Sequence, residues 1–165
     1  MPAEDTYLLE DCIAGRSGDA ALDMGCGTGY ISRALGRSFG TVVGTDVDML
    51  SLRGGSMDRT VCCTGADALS CTFDLIVCNP PYLATDGILD RSTDGGRLGL
   101  EVPGRMVRSA APLLKRGGSM LVVTSSLSDY AALMGVASSC GLECTICARK
   151  KLFFEELIVI EAVRP

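Results

Sequence analysis

Phe73-Asp74-Leu75-Ile76-Val77-Cys78-Asn79-Pro80-Pro81-Tyr82 is the stretch on which the reading of this chain turns. Phe73 to Cys78 is a short apolar run with β-branched residues and an early Asp74, which predicts a buried strand. Pro80 and Pro81 supply no N–H and push the residue before them out of helical geometry, so the strand must stop at Asn79. A stiff loop then presents an amide side chain, rigid carbonyls and the Tyr82 ring at the carboxyl end of a strand. In open α/β sheets ligands bind in the crevice outside those ends.

Upstream, Glu4 to Ala14 carries Tyr7, Leu8, Cys12 and Ile13 as an apolar stripe and predicts a short helix. Asp19 to Asp23 predicts the first strand, met at once by Gly25-Cys26-Gly27-Thr28-Gly29, and Tyr30 to Ser38 a helix with Ile31, Ala34 and Leu35 on one face. Gly40 to Asp46 reads as the second strand, Met49 to Arg53 as one or two helical turns, and Arg59 to Thr64 as the third strand. Downstream, Leu83 to Leu100 is long, glycine-rich and polar, a loop or lid. Val102 to Lys115 has a helical pattern that Gly117-Gly118 would end, and Met120 to Thr124 is the fifth strand. Ser128 to Cys140 predicts a helix with Ser128 as N-cap and Gly141 as its stop. Leu142 to Arg149 and Leu157 to Val163 form an antiparallel hairpin. Alternating strands and helices predict an α/β fold: a doubly wound, mainly parallel seven-stranded sheet with a C-terminal antiparallel hairpin, in one domain spanning residues 1–165.

Composition narrows the function. Hydrophobic residues are 47% and charged residues 21% of the 165, a globular balance. The mean hydropathy of +0.31 is high, yet no apolar run approaches the ~18–20 residues that span a bilayer. The excess therefore belongs to a buried sheet or a partner interface. The start, Met1-Pro2-Ala3-Glu4-Asp5, is acidic and lacks the basic region of a secretory signal. Nine cysteines in such a chain read as free thiols of a reducing compartment, the cytoplasm, with the nucleus also open. Cys140, Cys144 and Cys147 have no second cysteine pair at metal spacing, so no metal is expected. A net charge of −5 argues against holding nucleic acid by phosphate neutralisation, and the absence of histidine excludes an imidazole base.

Asp23-Met24-Gly25-Cys26-Gly27-Thr28-Gly29 comes straight after the first strand and opens a helix, the setting of a ligand-approaching glycine loop. A dinucleotide fingerprint would need glycine where Tyr30 stands, so that pattern fails. An acid ahead of the glycines suits a cationic ligand such as S-adenosylmethionine. Asp46, at the end of the second strand, is placed to accept from both ribose hydroxyls, and Asp67, past the third, from an adenine amino group. Each acid alone is also a common cap or turn residue. Together with the loop they fit one adenosyl ligand.

With these residues in view, the chain resembles the class I S-adenosylmethionine-dependent methyltransferases that act on planar amino or amide nitrogens, through Asp23 to Gly29, Asp46, Asp67 and Asn79-Pro80-Pro81-Tyr82. Pro2-Ala3-Glu4-Asp5-Thr6 and Gly95-Gly96-Arg97-Leu98-Gly99-Leu100-Glu101-Val102 make it similar to the eukaryotic and archaeal form of the HemK-type branch. The resemblance implies N5-methylation of the glutamine in the Gly-Gly-Gln loop of a class I translation release factor. It implies Thr6, Asp23, Gly25, Gly27, Gly29, Asp46, Asp67, Ala68 and Asn79 as cofactor contacts, and Asn79, Pro80 and Tyr82 as the catalytic group. Tyr82 would wall the acceptor amide. Relatives carry a segment ahead of Pro2 that helps cover the cofactor, so this chain is expected to need help in closing its site. The implied partner is a small zinc-binding activator subunit, with the third strand, around Val61-Cys62-Cys63, as the sheet edge on which it docks. Val61 and the cysteines facing inward is the rival reading. Two other functions stay open: N6-methylation of adenine in DNA or RNA, and a catalytically silent scaffold.

Overall fold

The computed structural model describes residues 3–55, 57–85 and 94–165. Seven strands form one sheet in the order β3-β2-β1-β4-β5-β7-β6. They are β1 (Gly18–Met24), β2 (Phe39–Asp46), β3 (Thr60–Cys62), β4 (Phe73–Cys78), β5 (Leu114–Ser125), β6 (Glu143–Lys151) and β7 (Glu156–Val163). The first five run parallel, while β7 pairs antiparallel with both β5 and β6. The helices are α1 (Glu4–Ile13), α2 (Tyr30–Leu35), α3 (Met49–Gly54), α4 (Glu101–Ala110) and α5 (Tyr130–Ser139).

β4 is the stretch that predicted the sheet, and its packing shows why it is apolar throughout. Leu75 and Val77 join Leu8, Leu9, Ile31 and Leu35 of α1 and α2 in one core. Ile76 and Cys78 join Met106, Val107 and Leu133 of α4 and α5 in the other. A strand covered on both faces has no polar side to alternate with. In α1 the buried stripe is Leu8, Leu9 and Ile13, with Tyr7 turned outward at 44% exposure, so Leu9 takes the place expected for Tyr7.

Several boundaries differ from expectation. α4 stops at Ala110 and passes through a 3-10 turn, Ala111–Leu113, because Pro112 cannot donate to an α-helical turn. β5 accordingly starts at Leu114, and Gly117-Gly118 is a bulge within it rather than a helix stop. Partners jump from Phe73↔Leu114 to Leu75↔Ser119, Gly117 sits at φ +75°, and a Cβ on Gly118 would lie 3.0 Å from the Asp74 carbonyl oxygen. The helix predicted from Ser128 begins at Tyr130, with the Asp129 carboxylate accepting from the Ala132 N–H at 2.9 Å as the cap.

Asp74 ties the lower ends of three strands together. Its carboxylate accepts from the N–H groups of Asp19 and Ala20, each at 2.9 Å, and from Lys115 Nζ at 2.8 Å. Desolvation pushes this carboxyl up, but the Lys115 and backbone bonds outweigh it and hold it below the usual carboxylate range. A lowered native value means the contribution is fully present above the unfolded value and is lost as pH falls through the native one. Asp74→Ala is expected to cost about 1–3 kcal/mol in urea denaturation at pH 7 and to flatten the acid limb of the stability curve; an unchanged midpoint would remove Asp74 from this role.

Candidate active site

β1 and β4 are neighbours whose connections leave in opposite directions, and the crevice between their carboxyl ends is where such sheets bind ligands. A cavity of about 850 Å³ opens there. Gly25, Gly27, Asp46 and Asn79, all singled out from the sequence, line it. Gly25 and Gly27 adopt left-handed φ values of +72° and +52°, which their residue type alone makes inexpensive. The N–H groups of Gly25 and Cys26 both donate to the Thr45 carbonyl, at 2.7 and 3.0 Å, so the loop is pinned to the end of β2.

Asp46 is held from both sides. One oxygen accepts from the Gly27 N–H and the other from the Asp48 N–H, both at 2.8 Å. Each oxygen keeps a further lone pair, enough for a vicinal diol. Asp23 lies outside the lining, 3% exposed on the α2 side of β1, where it accepts from the Ser32 hydroxyl at 2.5 Å. Burial dominates and pushes this carboxyl up to about 6, against the Ser32 bonds, with Asp46 adding to the rise. Cys26, between the two acids, is pushed up to about 12, chiefly by burial. Cationic ligands are favoured here: Asp46, Asp48 and Glu101 line the cavity, and Arg105 is the one cation among the described lining residues.

The remaining predicted residues sit around this centre. Gly29 caps α2 at φ +83° and packs beside Met57, away from the cavity lining. Asp67 and Ala68 are exposed and also lie off the lining, Asp67 meeting Arg105 at 3.5 Å across open surface. Cys63, Thr64 and Gly65 occupy that wall instead, and Val47, Asp48 and Ser51 form the wall beyond Asp46. The capping pattern around Asp48 was the signal for those last three: its carboxylate accepts from Leu50 N–H and Ser51 Oγ–H.

Asn79 holds its place at the end of β4 through its amide nitrogen, which donates to Thr6 Oγ1 at 3.4 Å. Its side-chain oxygen is buried and has no hydrogen-bond partner among the described residues. Pro80 is buried and Pro81 lines the cavity. Tyr82 does not line it; the ring packs toward the α1 core and its hydroxyl donates to Asp5 at 3.0 Å. Burial, with Asp5 and Glu155 beside it, holds that phenol protonated. Tyr82 thus anchors the loop to α1 rather than walling the cavity.

The part of the expected loop or lid, Leu83 to Leu100, that lies among the described residues supports the Asn79 loop. The Gly95 N–H donates to the Leu83 carbonyl at 2.8 Å and the Thr85 N–H to the Gly96 carbonyl at 3.1 Å. A Cβ on Gly95 would lie 2.8 Å from the Pro81 carbonyl oxygen, and one on Gly99 would fall on the Tyr82 carbonyl. Ser128 Oγ–H donates to that same carbonyl. The other part, residues 86–93, lies outside the described residues.

The model of the methyltransferase small domain matches residues 4–153. The chain belongs to this family. It is 30% identical to a putative protein N5-glutamine methyltransferase of Methanocaldococcus jannaschii, over 99% of this chain and 90% of that one. A release factor glutamine methyltransferase of Bordetella pertussis is 29% identical over 84% of this chain, which spans 64% of that relative. Among solved structures, the E. cuniculi Mtq2-Trm112 complex, responsible for methylation of the termination factor eRF1, superposes with a TM-score of 0.88 at 26% identity, covering 100% of this chain and 98% of that one. The Thermus thermophilus 16S rRNA N2 G1207 methyltransferase, in complex with AdoMet and guanosine, gives 0.71 at 25% identity over 100% of this chain and 44% of that one. The sheet is that of the class I S-adenosylmethionine-dependent methyltransferases.

Burial of Asp23 behind the glycine loop predicts a pH-dependent capture of the cofactor. With the carboxyl raised to about 6, lowering the pH neutralises the acid beneath the glycine loop and weakens a cation placed above it. Affinity for S-adenosylmethionine, measured by calorimetry, should be level above about pH 7 and fall roughly tenfold per unit well below 6. Asp23→Asn should remove that step. A flat profile from pH 5 to 8 in the unaltered protein would detach Asp23 from the cofactor.

Proposed function

We propose that this chain methylates the N5 nitrogen of the glutamine side chain in the Gly-Gly-Gln loop of a class I translation release factor, with S-adenosylmethionine as donor. The observation that carries the reading is Asn79, which lines an adenosyl-sized cavity and whose side-chain oxygen is buried with no hydrogen-bond partner among the described residues. A buried acceptor left unmade costs about 1–3 kcal/mol, and a primary amide, with two N–H donors on one planar nitrogen, meets that need.

The fit of the cofactor rests on the same cavity. Asp46 has lone pairs for the ribose hydroxyls, Gly25 and Gly27 leave room for close approach, and Asp23 lies beneath. Bound there, S-adenosylmethionine supplies a methyl group on a sulfonium. The acceptor is harder to prepare, because an amide nitrogen delocalises its lone pair into the carbonyl. Asn79 Oδ1 and the Pro80 carbonyl each accept one of its N–H groups, which orients the nitrogen and raises its electron density. The methyl group would pass from the sulfonium to this nitrogen, whose surplus proton can leave to water, so no histidine is needed. Positioning of this kind is worth up to ~7–11 kcal/mol.

The partner is a small zinc-binding activator subunit docked on the outer edge of β3. Among the described residues that strand pairs with β2 alone, Cys62 is exposed, and Val47, Met49 and Leu50 stand 45%, 46% and 76% exposed on the adjoining segment. Its place of work is the cytoplasm, the nucleus remaining open. An adenine amine offers a similar planar face, but the acidic cavity and the net charge of −5 disfavour a nucleic-acid backbone.

The test supplies the chain, with and without the activator, with labelled cofactor and either the release factor or an adenine-containing duplex. Mass spectrometry should find one added methyl on the loop glutamine, only with the activator present. Transfer to the duplex but not to the protein overturns the reading. Asn79→Ala should lower turnover by ~10²–10³ while cofactor binding stays measurable, since it removes one preorganised contact to the reacting group.

A further inference from the structure

β6 and β7 are joined by the turn Leu152-Phe153-Phe154-Glu155, which stands at the catalytic end of the sheet. β5 runs parallel to β4, and Leu157 at the start of β7 pairs with Ser125 at the end of β5, so the turn projects beside the carboxyl ends of the parallel strands. Leu152 packs on the α1 core and its N–H donates to the Glu155 carbonyl at 2.8 Å, closing the turn. Phe153 and Phe154 are left 91% and 85% exposed, their rings edge to face at 4.6 Å. Single apolar residues at a surface are ordinary, but adjacent ones gathered into a patch mark a contact site. Hydrogen bonds tie this turn step by step to the loop that carries Asn79. The Ser125 hydroxyl donates to the Glu155 carboxylate and accepts from the Leu127 N–H at 3.1 Å. Ser128 donates to the Tyr82 carbonyl, and the Leu98 carbonyl accepts from the Asp129 N–H. Leu127 and Leu98 are exposed along that line, as is Leu83 next to Tyr82. Leu98 keeps its exposed side chain at φ +58°, a conformation that glycine would hold without strain.

We propose that this apolar rim, from Leu83 and Leu98 through Leu127 to Phe153 and Phe154, is the docking surface for the protein that carries the acceptor glutamine, and that it selects that protein. The assignment rests on the function proposed above. Asn79 and the Pro80 carbonyl can grip the hydrogens of any primary amide, so the choice of protein has to be made outside the cavity. The rim is the exposed apolar surface continuous with the Asn79 loop. The activator strip lies at the other edge of the sheet, β3 against β7 and β6, so a subunit laid there leaves the rim open. Two phenylalanines can bury ~150–250 Å² each, a large part of the ~800 Å² that one partner brings to a stable complex. Arg97 and Lys151 stand exposed, one at each end, whereas the Glu155 and Asp129 carboxylates are engaged by Ser125 and the Ala132 N–H. The rim therefore fits an apolar protein surface bordered by acidic side chains. A nucleic-acid strand fits less well: Arg149 and Lys150 are neutralised by Glu156 and Glu4, and the two rings stand 78° apart rather than offering parallel faces to bases.

The experiment measures initial rates of methyl transfer by the chain with its activator, at saturating S-adenosylmethionine and varied release factor. The double variant Phe153→Ser, Phe154→Ser should raise KM for the release factor roughly tenfold or more, with kcat and calorimetric cofactor affinity unchanged. A short peptide carrying the Gly-Gly-Gln loop lacks the flanking surface, and both proteins should methylate it with equal efficiency. Leu98→Gly relieves the left-handed strain, so it should leave the urea midpoint no lower and still raise the same KM. Transfer to the release factor with equal KM in the unaltered and variant proteins overturns the rim alone. No transfer by the unaltered complex overturns the proposed function and the rim with it. A dimer of the chain that the phenylalanine variant dissolves, or a single-stranded oligonucleotide that the unaltered chain retains and the variant releases, gives the rim another occupant and overturns the proposal as well.

Discussion

Among the described glycines, a Cβ would meet its neighbour most severely at Gly99, where it would fall on the Tyr82 carbonyl, and the placement of the loop that carries Asn79 depends on that missing atom. Pro80 and Pro81 have no N–H to give, so the loop that carries Asn79 cannot brace itself with its own donors. It is held through its acceptors instead. Ser128 donates to the Tyr82 carbonyl, the Gly95 N–H to the Leu83 carbonyl, and two glycines without Cβ let a second chain segment press against Pro81 and Tyr82. The segment tolerates a non-glycine residue at positive φ, Leu98 at +58°, a strain on the order of 1–2 kcal/mol. The Leu98 carbonyl in return accepts from the Asp129 N–H at 3.0 Å, the residue that caps α5. From the other side, the first turn of α1 reaches Tyr82 through Asp5 and Asn79 through Thr6. Three separate elements thus converge on one donor-poor loop.

The electrostatics of the cavity obey a similar logic of tension held for use. Asp23 is a carboxylate in the core, and its raised value of about 6 corresponds to a cost on the order of 3 kcal/mol for ionising it at neutral pH. A core built for stability alone would carry an apolar residue there. Ser32 relieves part of the cost, and a cation bound above the glycine loop would relieve more. Asp46 and Asp48 contribute differently: their carboxylates organise the loop and the start of α3 through backbone N–H groups before any ligand arrives. Part of the work of ordering the cofactor pocket is therefore done by the protein alone, which is what preorganisation means for binding.

How much of this was legible depends on the range of the signal. β4 and the glycine loop were plain, because an apolar run with two prolines and a glycine cluster after a strand are local patterns. Gly25, Gly27, Asp46 and Asn79 could be placed at the cavity from strand order alone. Gly117-Gly118 misled, since a glycine pair ends a helix and permits a bulge with equal ease, and only the partner strand decides which. Ser128 misled for a related reason: its hydroxyl suits a cap, yet its partner is a carbonyl on Tyr82, 46 residues away. Asp67 and Ala68 stand off the lining, with Cys63 to Gly65 on that wall. The turn after so short a strand as β3 gives no local clue to which of its residues turn inward.

The shortness of β3 also joins the cofactor wall to the proposed partner surface. Thr60–Cys62 is the outermost strand, paired among the described residues only with the end of β2, and Asp46 at that end together with Val47, Asp48 and Ser51 of the connecting segment lines the cavity. One face of that segment therefore meets the ligand while Leu50 and Met49 meet solvent. Three residues of pairing are a weak clamp for the Asp46 wall, and an open edge of this kind invites another chain. A subunit laid along β3 would extend the sheet, cover the exposed apolar side chains and steady the Asp46 wall in one step. The high mean hydropathy of the chain is consistent with that arithmetic: most of it is absorbed by a sheet buried on both faces, and part remains on the strip where the wall is least supported.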